Sequence, residues 1–196
     1  MNIYTVIILS TMVISFILSL VADLLNLKSL KPHLPNEFSD VYDQKKYEKS
    51  QQYTKTNTRL GLVSGTFNLI ITLAFWFSGG FNYVDQIVRE FELSFLWNGL
   101  IFIGFLIIGN FLISLPFSIY STFVIEEKFG FNKTTVSTFI MDILKGFALS
   151  ILLGGPILAG ILAFFQYGGE LAWLYSWIAA VVFTLIIQYI APTWIM

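Results

Sequence analysis

The sequence predicts an all-α polytopic membrane protein with five transmembrane helices and short interfacial helices, on three observations. The 196 residues are 56% hydrophobic and only 12% charged, which leaves too little polar surface to coat a soluble globule. Five apolar stretches each run to about 20 residues, the length that crosses a hydrocarbon core of roughly 30 Å as a helix. Lys and Arg gather in two of the connections between those stretches and avoid the others. Composition also excludes whole classes of function. With 11 Lys+Arg against 12 Asp+Glu and a net charge of -1, no basic field exists to collect nucleic acid. The absence of cysteine removes disulfides, thiolate zinc sites and thiol nucleophiles. A single histidine, His33, cannot supply a site that needs two.

The spans cover approximately residues 3–25, 60–79, 96–120, 146–165 and 171–191, within one membrane-embedded domain over 1–196. The first lacks a basic leader, and its apolar run from Ile3 to Ala22 contains no small-x-small cleavage site, so it reads as a retained span. Before the second span, a polar helical stretch opens at Asp40-Val41-Tyr42-Asp43, with Ser39 or Asp40 as its cap. No Gly or Pro intervenes between Pro35 and Gly61, so this stretch is free to continue into the span. Val84, Ile87, Val88 and Phe91, and again Val136, Phe139, Ile140 and Ile143, recur at helical spacing and predict two interfacial amphipathic helices. Pro116 in the third span and Gly154-Gly155-Pro156 in the fourth remove helix hydrogen bonds and predict kinks. Each kink is either a packing feature or a cavity wall. Gly61 with Gly65, and Ser150 with Gly154, form small-xxx-small pairs that let helices approach closely in lipid, for packing within the bundle or for dimerisation.

Charge distribution sets the expected orientation. The 28–59 connection holds Lys28, Lys31, Lys45, Lys46, Lys49, Lys55 and Arg59, and the 121–145 connection holds Lys128, Lys133 and Lys145. The 80–95 connection holds only Arg89. The positive-inside rule therefore puts 28–59, 121–145 and the C-terminus in the cytoplasm and the N-terminus outside, in the inner membrane if the cell is bacterial.

Within the spans the polar residues of interest are Asn68, Asn110, Ser114, Ser150, Thr184 and Gln188. The amides need hydrogen-bond partners away from lipid, which turns them toward a protein interior, as structural glue or as the lining of a wet cavity. No carboxylate or base joins them, because Asp23 lies near a span end and Asp142 in an interfacial segment; that argues against a proton relay. Glu126-Glu127-Lys128-Phe129-Gly130-Phe131-Asn132-Lys133 is the most distinctive connection and, read alone, a solvated turn. Adjacent carboxylates seldom aim at one point. Asn132-Lys133-Thr134 matches the glycosylation pattern but falls on the cytoplasmic side. His33, between Pro32 and Pro35, reads as a surface residue. Trp76, Trp97, Trp173, Trp177 and Trp194 lie toward span ends, as an interfacial belt requires.

Several ordered segments carry a resemblance. They are Tyr47-Glu48-Lys49-Ser50-Gln51-Gln52-Tyr53, Gly79-Gly80-Phe81-Asn82 with Asp85-Gln86, the run Leu115 to Thr135, Asp142 to Lys145, Gly154-Gly155-Pro156 and Ala172-Trp173-Leu174-Tyr175-Ser176-Trp177. In order and spacing the chain resembles the N-terminal region of the CAAX prenyl protease 1 family of integral-membrane zinc metalloproteases. The resemblance implies a helical barrel around an intramembrane cavity, with a catalytic domain on the cytoplasmic face. In that family an HExxH helix and a downstream Glu hold the zinc, all after the fifth span. This sequence contains no HExxH, so no catalytic or metal residue carries over, and zinc is expected only in the complete family enzyme.

The resulting expectation is a scaffold-and-cavity portion of a zinc metalloendopeptidase acting on prenylated or membrane-associated proteins, inactive alone. Its partners would be the lipid bilayer, a C-terminal zinc protease domain and the substrate. The candidate contact loop is Glu126, Glu127, Lys128, Phe129, Gly130 and Asn132; the candidate cavity or kink residues are Asn68, Asn110, Pro116, Gly155, Pro156 and Gln188. The alternative is a stand-alone, non-catalytic membrane protein that binds lipidated or misfolded chains.

Overall fold

In the computed structural model, which describes residues 2–35 and 43–194, the elements are helices and the turns between them. Five helical segments are long and apolar enough to cross a membrane, and almost nothing in them is buried against other protein. That is the expected state of spans whose solvent is lipid, where the backbone must satisfy its own hydrogen bonds and apolar side chains can face outward.

One compact unit comprises residues 1–80 and 109–133. Helix α1 (Ile3–Ser29) is capped by Asn2, whose side chain accepts from the Thr5 amide at 2.8 Å. Helix α2 (Gln44–Phe77) joins the polar stretch to the second span without interruption. Asp43 caps it, accepting from the Lys46 amide at 2.9 Å; the expected cap at Ser39 or Asp40 lies outside the described residues. Gln44 then fastens the chain that follows α1, accepting from the Leu34 amide at 2.9 Å and donating to the Pro32 carbonyl at 3.1 Å. Helices α1 and α2 pack on one another. At the far end of α2, Gly79 takes a left-handed φ of 81°, which favours glycine at a helix C-terminus. Gly80 lies so close to the Phe75 ring that a Cβ there would overlap it.

The second unit comprises residues 81–108 and 134–196. Helix α3 (Gly80–Arg89) covers the first of the two expected amphipathic stretches as far as Arg89. Val88 is its buried member, while Phe91 lies beyond its end and is exposed. Arg89 Nε donates to Asp85 Oδ2 at 2.7 Å, and that bond and charge raise the guanidinium pKa above its ordinary value. Helix α4 (Phe95–Tyr120) contains Pro116 and continues as a π-helical turn over Ser121–Glu126. Helix α5 (Val136–Leu149) passes through a second π-helical turn, Ser150–Gly154, into α6 (Gly155–Tyr167). A short 3-10 turn, Gly169–Leu171, leads into α7 (Ala172–Trp194), which packs on α6.

Two expectations need correction. The amphipathic stretch at 136–143 is not a separate interfacial helix; it is the first part of one 32-residue helical segment, Val136–Tyr167. Nothing between Ile143 and Gly146 stops a helix, because one Lys and one Gly do not cap or break it in the way a Pro would. Of the predicted stripe, Phe139 and Ile143 are partly covered, while Val136 and Ile140 are exposed. Among the described residues the small-residue pairs do not mark close approaches within the chain either, since a Cβ at Gly61, Gly65 or Gly154 would meet open space. A side chain, not a backbone, covers a glycine at Gly99, where a Cβ would lie 2.8 Å from Leu162 Cδ1. Close packing at glycine is the membrane rule, but which glycine takes part depends on how each helix is rotated.

Candidate functional site: a clamped junction and an apolar recess

The distinctive connection after α4 is not a loose solvated turn. The π-helical turn widens the backbone by one residue per turn, and it packs on α2 with Ile125 only 2% exposed. The helix then ends in a tight hydrogen-bonded turn. The Glu126 carbonyl accepts from the amides of both Phe131 and Asn132, at 2.8 and 3.2 Å, and the Gly130 amide donates to the Glu127 carbonyl at 2.9 Å. Gly130 has φ 67°, a left-handed conformation that costs an L side chain about 1–2 kcal/mol. A Cβ there would sit 3.6 Å from Lys49 Nζ, ordinary contact, so conformation rather than space selects glycine. Asn132 Nδ2 donates to Glu127 Oε2 at 3.1 Å, which holds one carboxylate across the turn.

Aromatic rings lock this turn onto α2. Tyr53 meets Phe129 edge-on at a ring separation of 5.5 Å and Phe131 at 4.9 Å. Lys49 Nζ sits 5.3 Å from the centre of the Phe131 ring, and Lys128 Nζ 5.7 Å from that of Phe129. Edge-to-face pairs contribute about 0.5–1.5 kcal/mol each beyond their burial, and exposed cation–π pairs about 0.5–1 kcal/mol. Phe129 is buried, whereas Phe131, Glu127 and Lys128 remain exposed. The result is a rigid knuckle with an outward face of mixed charge and one ring.

A recess of about 520 Å³ lies within the second unit, against α4 and the α5–α6 segment. Trp97, Leu100, Ile107, Phe147, Ile151 and Leu158 line it together with Ser150, Gly155 and Pro156. Its size is that of a small-ligand pocket, and its wall is apolar apart from one hydroxyl. Pro156 lacks an N–H, and the preceding π-helical turn supplies the irregular backbone that such a position needs. A smaller recess of about 290 Å³ runs along α7, with Trp177, Thr184 and Gln188 on its wall.

Gly155, Pro156 and Gln188 thus border recesses. Asn68, Asn110 and Pro116 border neither of these two. Asn110 and Gln188 are exposed and Asn68 is partly covered, and none of the three amides has a hydrogen-bond partner among the described residues. Few helices pack on one another within either unit, so no facing surface is available to satisfy them. Sequence reasoning overlooked Tyr53 as a pairing residue, Gly99 as a contact glycine and Ser176, a hydroxyl only 6% exposed. Nothing local in sequence marks a pairing between residues as far apart as 53 and 129.

Among the described residues no three His, Cys, Asp or Glu side chains cluster as metal ligands. A tetrahedral zinc site of the HExxH kind needs two histidines, and the sequence has one. The described residues therefore do not make a zinc site of that kind.

The family model for the CAAX prenyl protease N-terminal region, with five membrane helices, matches residues 23–196. The probable CAAX prenyl protease 1 of Schizosaccharomyces pombe is 33% identical over 180 residues, 85% of this chain and 38% of that protein. A CAAX prenyl protease 1 homolog of Arabidopsis thaliana is 33% identical over 190 residues, 92% of this chain and 45% of that protein. The crystal structure of S. mikatae Ste24p superposes on all of this chain and 47% of its own, with a TM-score of 0.82 and 29% identity. The chain spans less than half the length of these relatives.

Proposed function

Because the chain belongs to the CAAX prenyl protease family through that family's N-terminal five-helix region, we propose that it forms the scaffold and cavity portion of an integral-membrane zinc endopeptidase. Prenylated or membrane-associated proteins are its substrates in this reading, and the zinc-holding residues come from outside these 196. The observation that carries it is the ordered match over residues 23–196. A single histidine in the sequence supports assigning the metal elsewhere. When bound, zinc would supply a water of lowered pKa for peptide hydrolysis. What this chain's own residues contribute is enclosure and positioning: helices that exclude bulk water and an apolar recess within reach of a lipidated side chain.

The knuckle at Glu126–Asn132 is, in this reading, the contact surface for the protease domain. Its backbone is fixed by hydrogen bonds and its ring pairs tie it to α2, so it presents Glu127, Lys128 and Phe131 in one geometry. The distribution of Lys and Arg supports a cytoplasmic knuckle and C-terminus with the N-terminus outside. The absence of HExxH favours a second reading, a non-catalytic membrane protein that binds lipidated or misfolded chains.

The test is to purify the native product from its source membrane and measure three quantities: mass against the 22.3 kDa of this chain, bound zinc, and hydrolysis of a farnesylated peptide. A larger, zinc-containing product or a co-purifying zinc subunit, with chelator-sensitive cleavage, is expected. A product of the calculated mass that binds the peptide without cleaving it, with no zinc-containing partner, overturns the first reading in favour of the second.

A further inference from the structure

The strongest unassigned feature is positive charge at one end of the α1–α2 pair. Gln44–Arg59 carries five cations, Lys45, Lys46, Lys49, Lys55 and Arg59, against the single carboxylate of Glu48. All five are exposed, and none forms an ion pair among the described residues. Their depths differ. The apolar part of α2 begins at Leu60, so at 1.5 Å per residue Arg59 stands about 1.5 Å and Lys55 about 7.5 Å outside it, on the same helix face one turn apart. Lys45 and Lys46 stand about 20 Å outside by the same measure. On the neighbouring α1, the apolar run ends at Ala22 and exposed Lys28 follows about 9 Å further out. The headgroup layer adds about 5–7 Å to each side of the hydrocarbon, and Lys and Arg stems reach back several ångström to place their charges at that level.

Arg59, Lys55 and Lys28 therefore sit at phosphate depth. Polar side chains surround them, with Thr54, Asn57 and Thr58 on α2 between the two cations or beside them. The sequence has no Asp or Glu from Lys49 to Arg59 or from Leu24 to Pro35. Asp23, partly covered on α1, and Glu126 and Glu127, at the turn that packs on α2, are carboxylates of the same unit, and among the described residues none of them lies within 4 Å of these cations. We propose that this end of the α1–α2 pair binds the phosphate of an anionic phospholipid through Lys28, Lys55 and Arg59. The occupant follows from charge complementarity at that depth: a transmembrane pair holds these cations against lipid headgroups, and cations near a membrane surface select anionic ones. The assignment needs only that α1 and α2 cross the bilayer, so it stands apart from the protease reading and from the orientation.

The test counts lipids retained by the purified chain in native mass spectrometry from mixed micelles holding phosphatidylglycerol and phosphatidylcholine. The chain is expected to retain phosphatidylglycerol preferentially, with the preference falling as salt rises. Each neutralised cation should lower that preference about 5-fold, so K55Q/R59Q should lower it about 25-fold, with K28Q adding a further step. The charge-conserving K55R/R59K should keep it, which separates lost charge from lost folding. The outer pair K45Q/K46Q should leave it unchanged, being beyond the screening length of about 8 Å. Equal retention of the two lipids overturns the proposal, as does an equal loss in K45Q/K46Q. Displacement of phosphatidylglycerol by excess inorganic phosphate at matched ionic strength assigns the site to a soluble phosphate and overturns the lipid assignment.

Discussion

Phe129→Ala isolates the contact that holds the knuckle to α2. Phe129 is 5% exposed and Phe131 is 49% exposed, yet both rings meet the same Tyr53 edge-on. Burial therefore separates two substitutions that a contact list would rank as equals. Truncating a buried Phe costs about 3–5 kcal/mol, and the low end applies here because a junction of two elements can close around part of the gap. Phe131→Ala removes about half as much burial and one exposed cation–π contact from Lys49, for a total near 1.5–2 kcal/mol. A double-mutant cycle with Tyr53→Ala should return a coupling of about 1 kcal/mol for the Tyr53–Phe129 pair. Reversible unfolding in mixed micelles of detergent and dodecyl sulfate, followed by circular dichroism, reads all four variants on one scale. Equal losses for the two Phe variants, or a coupling of zero, would refute the claim that ring packing fixes the turn.

Three further outcomes follow from the same structure. These 196 residues contain no cysteine, so single-cysteine variants of them label without background: Ser50→Cys and Lys133→Cys should react from the cytoplasmic side and Asn82→Cys from the opposite side, and labelling of all three from one side would sink the orientation. Asp43→Ala removes the cap that accepts from the Lys46 amide and should cost about 1 kcal/mol, read as faster hydrogen exchange confined to the first turn of α2; an unchanged rate there would contradict the capping role. Gly99→Leu should destabilise by about 1 kcal/mol, the low end of overpacking because the Leu162 side chain it meets can shift, whereas Gly61→Leu, facing open space, should be close to neutral in the same unfolding assay; the reverse ranking would mean that the Leu162 side chain does not cover Gly99.

The five spans were legible because the bilayer imposes a length, and length with apolarity is read directly from sequence. Helix continuity was harder to read. The expectation that α2 runs through from a polar start rested on the absence of Gly and Pro, and the structure agrees. For residues 136–167 the sequence predicts an amphipathic segment plus a separate span, whereas the helix is continuous, because hydropathy reports the solvent of a residue and not whether the backbone breaks there. Gly154-Gly155-Pro156, where the sequence predicts a kink, falls where a π-helical turn meets a proline; a missing N–H is a property of sequence alone. The π-helical turn after Pro116 had no comparable local signal, falling five residues beyond the ring.

The candidate site shows why the remainder was illegible. Gly61 and Gly99 are the same residue in two spanning helices, yet one faces open space and the other a neighbouring Leu side chain. Rotation of a span about its axis is set by its neighbours and its interfacial anchors rather than by its own hydropathy, so a small-residue motif marks a capacity for contact without marking the contact. The same reasoning applies to Phe129-Gly130-Phe131. As a string it reads as two apolar residues flanking a flexible one in a charged loop, which is why the segment looked like a solvated turn. The left-handed Gly130 separates the fates of its neighbours, one ring buried and the other half-exposed, and Tyr53 receives both. That outcome requires a partner nearly eighty residues away that no periodicity announces. An ordered turn is what a docking surface needs, because a segment already fixed by its own hydrogen bonds loses less freedom when a partner closes on it.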